Sequence, residues 1–167
     1  MTAGGGHVAV LEKLWDWAKE LQLKPDELRN EVLLSKDKYG QMAWHMAEAG
    51  GHVEVLEKTW DWVEELKLAP NELKKMFLSV DKDGNNTANL ATSTGSKELL
   101  DKTWTMCKET QHSDDLSKLL VAAWHDAAAR GYLEILERLW LCAGKVQLNT
   151  QELQRRLLLD ENRDGEN

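Results

Sequence analysis

The sequence predicts an all-α fold: a helical repeat solenoid of helix pairs, with an additional short helix in each repeat. Three observations carry this. His7-Val8-Ala9-Val10-Leu11-Glu12-Lys13-Leu14-Trp15-Asp16-Trp17 returns 45 residues later as His52-Val53-Glu54-Val55-Leu56-Glu57-Lys58-Thr59-Trp60-Asp61-Trp62. Over residues 7–23 and 52–68, 12 of 17 positions are identical, so a whole structural unit is repeated rather than a short motif. Worn copies follow in Glu98-Leu99-Leu100-Asp101-Lys102-Thr103-Trp104 and Leu133-Glu134-Ile135-Leu136-Glu137-Arg138-Leu139-Trp140. Second, the glycines before these stretches stand at 6, 51, 95 and 131, with spacings of 45, 44 and 36. Third, the only two prolines, Pro25 and Pro70, open the same segment of successive copies. A period of about 20 to 50 residues marks supersecondary units that stack on their neighbours.

The elements follow in order. Residues 7–21 place Val8, Leu11, Leu14, Trp15, Ala18 and Leu21 on one apolar stripe of a helix. Lys24-Pro25-Asp26-Glu27 breaks and restarts the chain, because proline fits a first helical position and acids suit the positive helix start. The second helix carries Leu28, Val32 and Leu33. Residues 35–40 form a polar turn ending in Gly40, and a short helix over residues 42–49 stops at Gly50-Gly51. The next copy keeps this order: a helix over 52–66, a restart at Pro70, a turn over 81–84, a short helix from Thr87 and a stop at Gly95. The third copy is shorter by about eight residues at the exposed turn, and no Gly or Pro interrupts residues 113–130. One fused helix is expected there. The expected single domain, 1–167, holds about four units, approximately 1–41, 42–86, 87–122 and 123–167. Met46 aligns with Met1 and Asn167 with Met42, so the pattern starts and stops within a repeat and has no evident polar cap. A longer array is the favoured expectation; ends that meet another molecule are the alternative.

Composition narrows the function. Hydrophobic residues make up 42% of the chain, which excludes wholesale disorder. A net charge of −8 argues against nucleic acid as a partner, since phosphate binding relies on a basic footprint. No apolar run reaches the roughly 18 residues of a membrane span, and residues 1–6 lack the features of a signal peptide. A cytoplasmic, reducing setting is therefore expected, with Cys107 and Cys142 as buried thiols.

Gly40-Gln41-Met42-Ala43-Trp44-His45-Met46-Ala47-Glu48-Ala49-Gly50-Gly51-His52-Val53-Glu54-Val55-Leu56 resembles an ankyrin repeat. Ala43-Trp44-His45 lies where that family has Pro-Leu-His, and Gly51-His52 opens the second helix as its Gly-His pair does. A second match begins at Ala123-Trp124-His125 and runs through Gly131-Tyr132 to Leu136. The copy between them, residues 88–95, keeps the spacing but lacks the Trp-His pair. Intact repeats here are about 11 residues longer than the family's usual length, the excess being the helix after Pro25 or Pro70. Trp44 and Trp124 replace the usual leucine. The resemblance implies a non-catalytic protein-interaction scaffold whose turns and short helices make the contacts. It also implies that the histidines hydrogen-bond turn backbones and tie repeats together.

Several constellations admit a plainer reading beside a functional one. Trp15, Trp60, Trp104 and Trp140 recur at one repeat position, as a ladder of core aromatics requires. Trp17 and Trp62 lie roughly 200° further round the helix. They are expected to pack under the extra helix, with an exposed anchor as the minority reading. His7, His45, His52 and His125 recur about one repeat apart, which does not cluster ligands for zinc; His112 carries no signal. Residues 81–92 offer oxygen at the first, third and fifth positions of a calcium loop, but Asn86 and Thr92 stand where glycine and glutamate are needed. Residues 160–165 read as the same turn again. No phosphate loop or nucleophile elbow is present, so no enzyme, cofactor or metal is expected. The expected partner is a protein or peptide, bound at the turn tips by Lys36, Asp37, Lys38, Tyr39, Lys82, Asp83 and Asn85. Tyr39 is the expected anchor, an aromatic in a polar loop. The alternative function is a self-associating structural piece that stacks through its repeat ends.

Overall fold

A computed structural model describes residues 3–108, 113–144, 155 and 157–159, and among these the chain is helical and holds no strand. A 3-10 turn, Ala3–Gly5, precedes α1 (Val8–Glu20), α2 (Pro25–Glu27, continuing as a π-helix over Leu28–Leu33), α3 (Ala43–Ala49), α4 (Val53–Glu65) and α5 (Pro70–Leu78). Then come α6 (Thr87–Ser93), α7 (Lys97–Lys108), α8 (Ser113–Arg130) and α9 (Leu133–Ala143). The uninterrupted α8 is the fused helix expected from the lack of Gly and Pro. His112 and the turn expected over 160–165 lie outside the described residues. The chain divides into two compact units, Met1–Thr87 and Ala88–Asn167, one residue from an expected repeat boundary.

In the first unit the long helices end alike. Gln22 and Lys67, 45 residues apart, both take the left-handed conformation, with φ 56° and 51°. Leu23 N–H then reaches the Ala18 carbonyl at 3.3 Å and Leu68 N–H the Val63 carbonyl at 3.2 Å, closing each helix with a Schellman turn. That position favours glycine. Lys67→Gly is therefore expected to stabilise the protein by about 1 kcal/mol, read as a melting temperature raised by a few degrees; a lower one would contradict the strain. Pro25 and Pro70 each begin the next helix, and Glu27 and Glu72 each accept the preceding Lys24 or Ala69 N–H at 2.7 Å. The π-helix closes with Leu34 N–H on the Arg29 carbonyl at 2.9 Å and buries Leu28, Leu33 and Leu34. Arg29 itself donates through Nε (3.1 Å) and Nη2 to the Leu66 carbonyl, tying α2 to the end of α4.

The core of this unit is aromatic. Trp44 is fully buried; Phe77 meets it edge-on with centroids 5.5 Å apart, and Trp60 lies at 6.3 Å. The Trp44 indole donates to Thr87 Oγ1 at 2.9 Å, which satisfies its one polar atom.

The second unit packs α7, α8 and α9 around Leu99, Leu120, Ile135 and Leu139. Asn89 Nδ2 donates to the Ala122 carbonyl at 3.1 Å, and Trp124 meets Trp140 at 5.9 Å. Cys107 and Cys142 are buried thiols.

Equivalent repeat positions make equivalent contacts in each unit. Glu12 pairs with Lys58 at 2.8 Å in the first, and Asp101 with Arg138 in the second. A ring at the start of one long helix lies on the glycine that precedes another. His52 leaves no room for a Cβ on Gly6, which would stand 2.7 Å from Nδ1; Tyr132 lies against Gly95 in the same way, at 3.3 Å. His52 Nε2 also meets the Gly4 carbonyl at 3.1 Å.

The apolar stripes need correction. Trp15, Trp60 and Trp104 are buried as expected, but Trp140 is 37% exposed. Trp62 is buried as a stacked partner of Trp15, with centroids 4.3 Å apart and planes 8° from parallel, whereas Trp17 is half exposed. Leu14 and Leu21 are exposed as well, while Leu11 and Trp15 turn inward. The reason is which helix has a neighbour. α4 packs on α1 and covers Trp15, but no described element covers the opposite side of α1.

Candidate interaction surface

Two turns with the same chemistry, Asp-x-x-Gly followed by an amide residue, meet in the first unit. In the turn before α3, Asp37 Oδ1 accepts the Tyr39 N–H at 2.8 Å and the Gln41 N–H at 2.9 Å. The Gly40 N–H donates to the Asp37 carbonyl at 3.0 Å, and the Asp37 N–H to the Gln41 carbonyl at 2.9 Å. In the turn before α6, Asp81 Oδ1 accepts the Asp83 N–H at 3.0 Å and the Asn85 N–H at 2.8 Å. The Gly84 N–H and the Asp81 N–H complete the same pattern, at 3.1 and 3.0 Å. A carboxylate at the first position closes such a turn by replacing backbone partners. Gly40 has φ 80°, which a side chain at that position would strain.

The turns are joined to each other. Lys82 N–H donates to the Tyr39 carbonyl at 3.0 Å, and Gln41 Nε2 donates to Asp81 Oδ2 at 3.2 Å. Burial by itself would raise the Asp81 pKa. The hydrogen bonds from Asn85, Gln41 and Asp83 outweigh it and hold this carboxyl below the ordinary carboxylate range.

Tyr39 stands at the junction and is 53% exposed. The Lys38 ammonium lies 4.9 Å from the ring centroid and that of Lys82 5.7 Å, both within cation–π range. The backbone of the tyrosine is held on both sides, its N–H by Asp37 and its carbonyl by Lys82, so the ring projects from a fixed point of the turn.

Behind the turns, His45 stands in the first turn of α3, and its Nδ1 accepts the Met42 N–H at 3.2 Å. His45 is fully buried, and burial, assisted by the positive charge of Lys36, lowers its pKa to about 4 against the opposing pull of the Met76 carbonyl and Asp81. The Met76 carbonyl favours a proton on the ring, yet no acceptor meets hydrogen-bond geometry at Nε2. Beside Lys36 a groove of about 410 Å³ runs between α1, α2 and α3, lined by Leu11, Trp15, Val32, Met46 and Trp62.

Of the expected site residues, Lys38, Tyr39 and Lys82 are brought together and face outward. Lys36 is exposed at the rim of the groove, and Asp83 is exposed in the second turn. Asp37 and Asn85 serve the turns themselves, Asn85 also through Nδ2 to Asp81 Oδ2 at 3.4 Å. Sequence reasoning missed Gln41 and Asp81, which lock one turn to the other. The signal for Asp81 was its 44-residue spacing from Asp37. The oxygens of Asp81 are taken up by its own turn and by Gln41, which accounts for the partial calcium-loop pattern. Among the described residues no group of three or more His, Cys, Asp or Glu is placed to hold a metal, and no helix is long and apolar enough to cross a membrane. No protein-family model, curated protein or solved structure matches the chain.

Proposed function

We propose that the chain is a non-catalytic protein–protein interaction scaffold, a divergent helical solenoid of ankyrin-repeat type that works in the cytoplasm. The observation that carries this reading is the exposed Tyr39 ring, clamped by the two linked turns between the Lys38 and Lys82 ammoniums. A rigid aromatic anchor with charged flanks is what a protein interface uses as an energetic centre. The recurrence of Glu12–Lys58 as Asp101–Arg138, and of Gly6–His52 as Gly95–Tyr132, supports repeat stacking within each unit. The partner is a protein or peptide. Its chain crosses the turn tips and sends an apolar side chain into the groove beside Met46, on the face of short helix α3.

The test is affinity capture from source cells, followed by titration of the captured protein against intact chain and a Lys38→Glu, Tyr39→Ala variant. The variant is expected to bind at least about tenfold more weakly with an unchanged melting temperature, because both side chains are exposed. Unchanged affinity would move the binding face elsewhere.

A further inference from the structure

On α1 and its C-cap the apolar side chains of Val10, Leu14, Trp17 and Leu21 are all exposed and lie on one helical face, at i, i+4, i+7 and i+11. The same positions of α4 and its C-cap are Val55, Thr59, Trp62 and Leu66, and all four are buried. The molecule thus shows what covers this face when it is covered. Trp62 stacks on Trp15, and Lys58 pairs with Glu12, so the covering helix presents a tryptophan three residues after an acid. Among the described residues one other helix carries that pair at the matching positions with both residues exposed. On α9, Glu137 stands where Glu12 does and Trp140 where Trp15 does. On α1, Lys13 stands where Lys58 does; it is exposed, with its ammonium 5.6 Å from the Trp17 ring centroid.

We propose that the chain associates with a second copy of itself, α1 of one copy seating on α9 of the next as α4 seats on α1 within a copy. Trp17 of one molecule stacks on Trp140 of the other, and Lys13 pairs with Glu137. The charges are complementary, and the aromatic pair reproduces an internal interface already formed by this sequence. Two different surfaces meet, so the contact is heterologous and leaves a further α1 face and a further α9 face open. Growth past a dimer follows unless a ring closes.

The experiment is sedimentation velocity on the full chain over a rising concentration series. The mass is expected to increase with concentration beyond that of a dimer. Trp17→Glu removes the α1 surface and Glu137→Arg the α9 surface; each alone is expected to be monomeric with an unchanged melting temperature. Mixed together, the two variants retain one complementary pair of surfaces and are expected to form a one-to-one dimer and nothing larger. Lys13→Glu is expected to weaken association about tenfold or more, and Lys13→Glu with Glu137→Lys to restore it. A monomer at every concentration overturns the proposal. So does self-association of Glu137→Arg alone, which would mean that two α1 faces pair with each other. Trp17→Glu leaves the Tyr39 turns intact, so partner capture by that variant separates this proposal from the interaction reading.

Discussion

Trp44→Ala is expected to destabilise the first unit by about 4 to 5 kcal/mol, the upper range for removing a buried indole. Three losses combine. The fully buried ring leaves a cavity, its edge-on contact with Phe77 at 5.5 Å disappears, and Thr87 Oγ1 loses the indole donor that now lies 2.9 Å away. A loss of that size approaches the whole stability of a small domain. Trp17→Ala provides the control within the same molecule, since that indole is half exposed. Its effect is expected to stay within about 0.5 kcal/mol. Chemical denaturation of both variants checks the pair. Similar midpoints for the two would contradict the assignment of Trp44 to the core and of Trp17 to the surface.

Acid is expected to weaken the fold in a defined window because of His45. The folded state keeps this imidazole neutral down to about pH 4, whereas the unfolded chain protonates it near 6.5. Between those values the unfolded state binds more protons, so stability rises with pH. The contribution is complete above pH 6.5 and lost as the pH falls toward 4, in total roughly 3 kcal/mol. Asp81 acts lower. Its carboxyl is held below the ordinary carboxylate value, so its contribution persists through that window and is lost only as the pH falls further. Denaturation midpoints measured between pH 7.5 and 4.5 test this, with His45→Gln as the comparison. The variant is expected to start less stable and to lose much less on acidification; an equal loss in both proteins would show that another group titrates.

Much of the fold was legible because its signals are local. Pro25 and Pro70 mark helix starts, glycines mark the stops, and the absence of both from residues 113–130 marks α8. What was illegible depends on neighbours. Trp17 and Trp62 lie in nearly identical sequence, yet one is half exposed and the other stacks on Trp15. No property of the residue or its flanks distinguishes them; only the presence of an adjacent helix does. The left-handed Gln22 and Lys67 were likewise hidden, because nothing in a glutamine or a lysine signals positive φ. For the candidate surface, composition picked out Tyr39 and its lysines. The joining of the turns by Gln41 and Asp81 needed the fold, since it acts across 40 residues of sequence.

The central claim is that the linked turns form the face on which a partner binds. Hydrogen exchange of the chain, alone and saturated with its captured partner, tests it most directly. The account predicts slowed exchange over residues 36–41 and 81–86 with little change along α4. Protection confined to other elements, with these two turns exchanging as in the isolated protein, would contradict it.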